Sequence, residues 1–381
     1  MALKIARRGQ TPPFIVMDVL RAANERQAAG ADVLHLEVGQ PGTAAPEQVL
    51  AAARAALDGR PLGYTEALGT SSLRLRIARH YRERYGAAVP PERILVTTGS
   101  SGGFVMAFLA AFDPGDRVAL AAPSYPAYRN ILTALDIEPV VLPTSEATRF
   151  QPTIEAVGGA GRLDGLIVAS PSNPTGTMLS PAELEALVRH CSAKGIRLVS
   201  DEIYHGITYG RTAATAASYG ADAIVVNSFS KYYAMTGWRI GWLVAPPDLV
   251  RPMECLAQNL YISPPTLSQI AAEAAFECTK ELDAVVAGYA RNRSLLLAEL
   301  PKAGFNHLAP ADGAFYLYAD VGHLTNDSRE FCRRMLHETG VATAPGVDFD
   351  SAQGHRYLRF SFAGAEQDII QAADRLKAWR R

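Results

Sequence analysis

Between residues 90 and 245, short β-rich apolar runs alternate with stretches whose apolar residues recur at helical spacing. The runs fall at 93–97, 117–122, 139–142, 166–169, 197–200 and 223–227. Such alternation predicts a mostly parallel sheet covered by helices. One of the helices is explicit. Leu184, Leu187, Val188 and Cys191 repeat at helical spacing, and Ser180-Pro181 supplies an N-cap and a first-turn proline. Beyond Pro264-Pro265, the pattern predicts consecutive helices over 266–277 and 281–300. A smaller α+β unit follows, with strands at 314–318 and 357–361 and helices at 328–337 and 366–379.

Composition narrows the choice of partners more than the choice of fold. A chain of 381 residues, 48% hydrophobic and 20% charged, is long enough for two cores. Its formal net charge of -1 gives no electrostatic case for nucleic acid or an anionic membrane surface. Cys191, Cys255, Cys278 and Cys332 stand far apart with no C-x-x-C pair, so neither a zinc site nor a redox dithiol is expected. Arg7-Arg8 precedes Gln10-Thr11-Pro12-Pro13 where an export signal would need an apolar core, so a cytoplasmic protein is expected. No apolar stretch reaches the roughly 18 to 20 residues that span a bilayer.

The chemistry gathers around Lys231. It lies in Ser228-Phe229-Ser230-Lys231, with Gly237, Arg239 and Gly241 after it. A lysine whose pKa is lowered by burial or nearby cations can bond an aldehyde covalently. Arg239 would offer a phosphate two parallel donors, and Ser228 a short hydroxyl bond. Covalent amine and phosphate anchor together are what pyridoxal 5'-phosphate requires. The bland alternative is a surface lysine beside an arginine that pairs with a carboxylate.

Three further features fit the same cofactor. The run 93–97 ends in Thr98-Gly99-Ser100-Ser101-Gly102-Gly103, and glycines ahead of a helix let an anion approach backbone N–H groups. Asn173, in Ser170-Pro171-Ser172-Asn173-Pro174-Thr175-Gly176, can donate to a phenolic oxygen from a rigid loop; the plain alternative is an Asx turn. Asp201 follows the run 197–200, where a carboxylate beside a pyridine nitrogen would keep the ring protonated and electron-accepting. Tyr204, three residues on, would donate to the same phenolic oxygen. Asp201 would otherwise serve as a helix N-cap.

From Gly39 to Arg359 these motifs stand in an order that resembles the class I aminotransferases among the fold-type I pyridoxal-phosphate enzymes. The resemblance implies an α/β large domain over 46–280. It also implies a discontinuous small domain over 1–45 and 281–381, with the active site between them. It implies that Tyr125 stacks on the cofactor ring. Tyr64 would reach the phosphate of a neighbouring subunit, making a homodimer with shared sites. Arg359, alternating with apolar residues in Tyr357-Leu358-Arg359-Phe360-Ser361, would grip the α-carboxylate, with Gly39 giving close backbone approach to it. Asn173 would also border the substrate.

Two positions depart from relatives similar to the bacterial aspartate enzymes. Ser101 stands where those often carry lysine, which weakens the case for a dicarboxylate, and Phe349-Asp350 replaces Phe-Gly after Pro345-Gly346. Phe14, Tyr64, Tyr261 and Phe315 are candidate pocket aromatics. The expected activity is amino transfer between an L-amino acid, neutral or aromatic, and a 2-oxo acid, with Lys231, Asp201 and Tyr204 at the reacting centre. A β-eliminating C–S lyase would use the same cofactor residues. A non-enzymatic sensor on this fold is a third reading, opposed by the joint presence of Lys231, Asp201 and Arg359.

Overall fold

The computed structural model describes residues 3–59 and 61–380. Helix α1 (Ile15–Ala28) and strand β1 (Leu34–His35) lead into helices α2 (Glu47–Gly59) and α3 (Ser71–Tyr85). Strands and helices then alternate: β2 (Ile94–Thr97), α4 (Gly99–Ala111), β3 (Arg117–Ala122), α5 (Pro126–Ala134), β4 (Glu138–Pro143), α6 (Ile154–Gly159), β5 (Gly165–Ala169), α7 (Pro181–Lys194) and β6 (Arg197–Asp201). Strands β7 (Ile224–Ser228) and β8 (Gly241–Val244) complete a seven-stranded sheet of order β2-β8-β7-β6-β5-β3-β4. Its pairs from β7 through β6, β5 and β3 to β4 are parallel, whereas β8 runs antiparallel to both β7 and β2.

The central strands are apolar because helices cover both faces. Leu166 and Val168 of β5 pack with Leu184, Leu187 and Val188 of α7 on one face. Ile167, between them, points the other way and packs with Phe104 and Phe108 of α4, as the two-residue period of a strand requires. Helix α7 begins as expected. Ser180 Oγ accepts the Glu183 N–H at 3.3 Å, while a Glu183 carboxylate oxygen accepts the Ser180 N–H at 2.6 Å.

Helices α8 (Pro247–Leu260), α9 (Thr266–Ala275) and α10 (Thr279–Glu299) lead to a second, antiparallel sheet. It is built from β9 (His307–Leu308) and β10 (Tyr316–Asp320), then, beyond α11 (Ser328–Thr339) and β11 (Val341–Ala342), from β12 (Ala344–Pro345) and β13 (Tyr357–Ser361). Helix α12 (Glu366–Ala378) closes the chain's described fold. Strand β1 pairs in parallel with β11, which ties the N-terminal segment to this second unit.

Strand β10 starts two residues later than the apolar pattern predicts. Ala314 has φ +56°, a left-handed conformation that cannot belong to a strand, and its N–H bonds Ile207 O at 3.0 Å instead. Likewise β2 begins at Ile94 because Pro91–Arg93 forms a 3-10 turn.

Candidate active site

A cavity of about 250 Å³ opens at the carboxyl ends of β3, β5, β6 and β7, where a parallel sheet offers loops and helix starts to a ligand. Its wall includes Gly39, Ser100, Ser101, Tyr125, Asn173, Asp201, Tyr204, Lys231, Arg239 and Arg359. Gly99, Tyr64 and Ser228 are not on that wall. Tyr64 is 82% exposed and outside the cavity. Ser228 is buried in the turn itself, where its Oγ accepts the Ser230 N–H at 3.1 Å. Ser230, not Ser228, reaches the cavity wall.

Lys231 sits on the loop joining β7 to β8, and its Nζ donates to Gly39 O at 2.6 Å. Burial, reinforced by Arg359 and Arg239 and opposed by Asp201, lowers its amine from the ordinary 10.5 to about 8. The same loop returns Arg239 beneath the start of α4. Gly99 has φ +74°, and a Cβ there would come within 2.5 Å of Arg239 Nη2. Only glycine lets the guanidinium and the first backbone amides of α4 face one space, which Ser100, Ser101, Ser230 and Thr236 also border.

Asp201 closes the opposite end. It is 3% exposed, accepts the Ile203 N–H at 3.1 Å and accepts a short hydrogen bond from Tyr128 Oη. Burial raises its carboxyl to about 6 despite those bonds and the Lys231 charge. Tyr128 was not apparent as a site residue in the sequence, although its place three residues after Tyr125, at the start of α5, puts both rings at this end. Tyr125 packs edge-on against Tyr128 and Phe14, with ring centroids 5.4 and 5.7 Å away. Burial pushes its phenol up to about 12, so it remains neutral.

Tyr204 Oη bonds Tyr316 Oη at 2.7 Å, and Lys231 Nζ lies 5.7 Å from the Tyr204 ring. Tyr316 is a second residue without a sequence signal, hidden in the apolar run of β10. It also explains Gly39, since any Cβ there would collide with the Tyr316 hydroxyl. Phe14 borders the cavity, whereas Phe315 is buried behind it, 5.9 Å from Lys231 Nζ, and Tyr261 packs beside α8 and the core.

Arg359 projects from β13, only 2% exposed. Its Nη1 donates to Asn173 Oδ1 at 2.8 Å and its Nη2 to Glu37 O. The guanidinium carbon lies 4.3 Å from the Tyr316 ring centroid and 4.7 Å from that of Phe349. Its Nε has no partner, and it forms no ion pair among the described residues. A buried cation without a salt-bridge partner is costly even with the Asp348 charge acting on it through space, and the cavity in front of it is where an anion would relieve that cost.

Both ends thus fit pyridoxal phosphate: donors and Arg239 for a phosphate, Lys231 for an aldehyde, and Asp201 for a ring nitrogen. No group of three or more His, Cys, Asp or Glu side chains among the described residues could hold a metal ion.

Residues 31–376 match the model of the family described as aminotransferase class I and II. The chain is 53% identical to the valine–pyruvate aminotransferase of Mycobacterium tuberculosis, covering 100% of this chain and 99% of the relative. It is 34% identical to the aspartate/prephenate aminotransferase of Thermus thermophilus, over 97% of each. Among solved structures, an aminotransferase from Mycobacterium tuberculosis superposes with a TM-score of 0.97 at 53% identity, covering 99% of both chains. Aspartate aminotransferase from Thermus thermophilus with maleate gives 0.93 at 32% identity, covering 99% of this chain and 100% of that one.

Proposed function

Since the chain belongs to the class I and II aminotransferase family, and is an enzyme that transfers amino groups, we propose that it does so with pyridoxal 5'-phosphate held at Lys231. We propose a neutral L-amino acid as donor, with valine and pyruvate as the first pair to test. The observation that carries this reading is the buried Arg359, without an ion pair among the described residues, lining the same cavity as Lys231. It suits a single carboxylate beside a reactive amine.

When bound, the cofactor supplies an aldehyde that couples to amines and a ring that accepts electrons. Arg239, Ser230 and the first amides of α4 hold its phosphate end. Asp201, aligned by Tyr128, keeps the ring nitrogen protonated, and Tyr125 covers the ring. Asn173 and Tyr204 donate toward the phenolic oxygen. Arg359 fixes the substrate's carboxylate, and the Lys231 amine, once displaced, carries the α-proton away and back. Its pKa near 8 suits that exchange near neutral pH.

The other wall of the cavity is apolar, formed by Phe14, Val16, Met17 and Leu20. Lys231, Arg239 and Arg359 are its cations among the described residues, each already committed, which leaves none in this chain for a second carboxylate. The 53% identical relative, a valine–pyruvate aminotransferase, supports a small aliphatic donor. We further propose a homodimer in the cytoplasm, with the exposed Tyr64 of one copy reaching the phosphate site of the other. The division into a 46–280 unit and a 1–45 plus 281–381 unit is part of the same proposal.

The test is to incubate the cofactor-loaded protein with valine and follow its 2-oxo acid with and without pyruvate. Formation that depends on pyruvate and is matched by alanine supports the reading. Keto acid released from a sulfur amino acid without any acceptor, and none from valine, would overturn it in favour of elimination.

A further inference from the structure

Helix α1 supplies the apolar wall of the cavity, yet nothing in its own sequence caps it. Its N-cap residue is Phe14, which has no side-chain acceptor for the free amides of the first turn. Those amides are met from the far end of the chain. Asp348 Oδ1 accepts the Ile15 N–H at 3.1 Å and Oδ2 the Val16 N–H at 3.0 Å, across more than three hundred residues. Asp348 is 2% exposed. A carboxylate at this end of a helix is favoured by the helix dipole as well as by the two hydrogen bonds.

The loop that carries Asp348 is fixed to the rest of the site. Phe349 O accepts the Ser124 N–H at 3.0 Å, next to Tyr125, and the Phe349 ring lies under the Arg359 guanidinium. The adjacent Val16 is buried against Phe349, Phe150 and Tyr318. One short loop therefore sets the position of α1 relative to both the ring end and the carboxylate end of the cavity.

We infer that Asp348 is a specificity-determining positioning residue: it anchors the start of α1 so that Phe14, Val16, Met17 and Leu20 form a fitted wall for the substrate's aliphatic side chain. This rests on the transaminase reading of the cavity. Asp348 touches no reacting atom; its anchoring effect is transmitted through α1, while its charge also acts on Arg359, so Ile15→Pro, which keeps that charge, isolates the anchor. Loss of the anchor should loosen the wall and leave the carboxylate grip and the cofactor residues in place. The penalty must therefore grow with the size of the substrate's side chain.

Two variants test it in the cofactor-loaded enzyme. Asp348→Asn removes the charge and one acceptor oxygen. Ile15→Pro removes one of the two bonded N–H groups without touching Asp348. Phe14, at φ -83° and ψ 101°, already has the extended conformation that a residue before proline adopts, and proline suits the first position of a helix. Both should raise KM for valine about tenfold, the scale of imperfect contact with one or two methyl groups, with kcat little changed. Alanine should be affected less than about threefold. The cofactor's visible absorbance should be retained, and amide exchange should accelerate over residues 15–20 and not over α4.

Equal losses for valine and alanine in Ile15→Pro, or unchanged exchange over residues 15–20, would overturn the inference. If the wild type transaminates no neutral amino acid, the functional reading fails, and the exchange measurement still decides whether Asp348 anchors α1.

Discussion

Arg359 and Asn173 are 186 residues apart in the chain and 2.8 Å apart in the fold. A guanidinium has only donors, so the Asn173 atom facing it must be the carbonyl oxygen, which leaves the amide's two N–H donors for another acceptor. In the proposed site the pair would couple the carboxylate grip to the contact of Asn173 with the cofactor. Arg359→Lys keeps the charge but loses the planar fork and its stacking between Tyr316 and Phe349. Losing one charge-assisted bond of about 1.5–3 kcal/mol should lower kcat/KM for amino acids roughly ten- to a hundredfold. Amines without a carboxylate should lose much less. Equal losses for both classes would show a packing role instead.

Asp201→Asn removes the negative charge at the ring-nitrogen end of the cavity. Turnover should fall by roughly 10² to 10³ with the cofactor still bound, the scale of losing one preorganised electrostatic contact. Tyr128→Phe removes only the hydroxyl that donates to Asp201 and should cost about tenfold or less. Stopped-flow measurement of the half-reaction with valine separates the two. Near wild-type rates in Asp201→Asn would refute its assigned role.

Borohydride reduction followed by peptide mapping should place the cofactor on Lys231. The amine reacts when deprotonated, so reconstitution of stripped protein should accelerate with rising pH around a midpoint near 8 rather than 10.5. Lys231→Ala should retain cofactor noncovalently and lose at least roughly 10² to 10⁴ in turnover, the usual contribution of a general acid–base group. Label on another lysine is the contrary result.

Behind Asp201, Glu202 is buried with one carboxylate oxygen unpartnered, and burial raises its carboxyl from 4.5 to about 8. Desolvation is the main cause, and the neighbouring Asp201 charge adds to it. His205 beside it brings no cation, since its Nε2 donates to Ser170 O at 3.0 Å and its Nδ1 accepts from Tyr85 Oη at 2.8 Å. Because the folded pKa is raised, Glu202 destabilises the fold progressively as pH rises from 4.5 toward 8. Glu202→Gln should remove that part of the decline, and the Tm difference between variant and wild type should grow across this window. A difference independent of pH would contradict a neutral Glu202.

The parallel sheet was legible because its strands are aliphatic runs too short to be helices, and α7 because its cap, proline and apolar spacing coincide. Lys231, Asn173 and Asp201 were legible because each sits in a short local string with its turn residues. Tyr128, Tyr316 and Asp348 were not. Each acts only through a partner far away in the chain: Tyr128 on Asp201, Tyr316 on Tyr204, and Asp348 on the amides of α1. Ser228 shows the converse. Its spacing to Lys231 suits a phosphate contact, yet in the fold its Oγ also accepts the Ser230 amide inside the turn, and Ser230 borders the cavity, a role that local spacing did not single out. The residues of α1 bordering the cavity carried no sign of it, because amphipathic patterning identifies a buried face without saying what it is buried against.

Strand β8 runs against its neighbours, and the pairing of Gly241 with Ser228 turns the segment bearing Lys231 and Arg239 into a closed loop on one edge of the sheet. A connection to another parallel strand would have crossed on a helix and delivered its far end to the opposite edge. The reversal makes Lys231 and Arg239, the proposed covalent and electrostatic anchors, two ends of one loop. Its two halves cannot drift apart while the ladder between β7 and β8 holds.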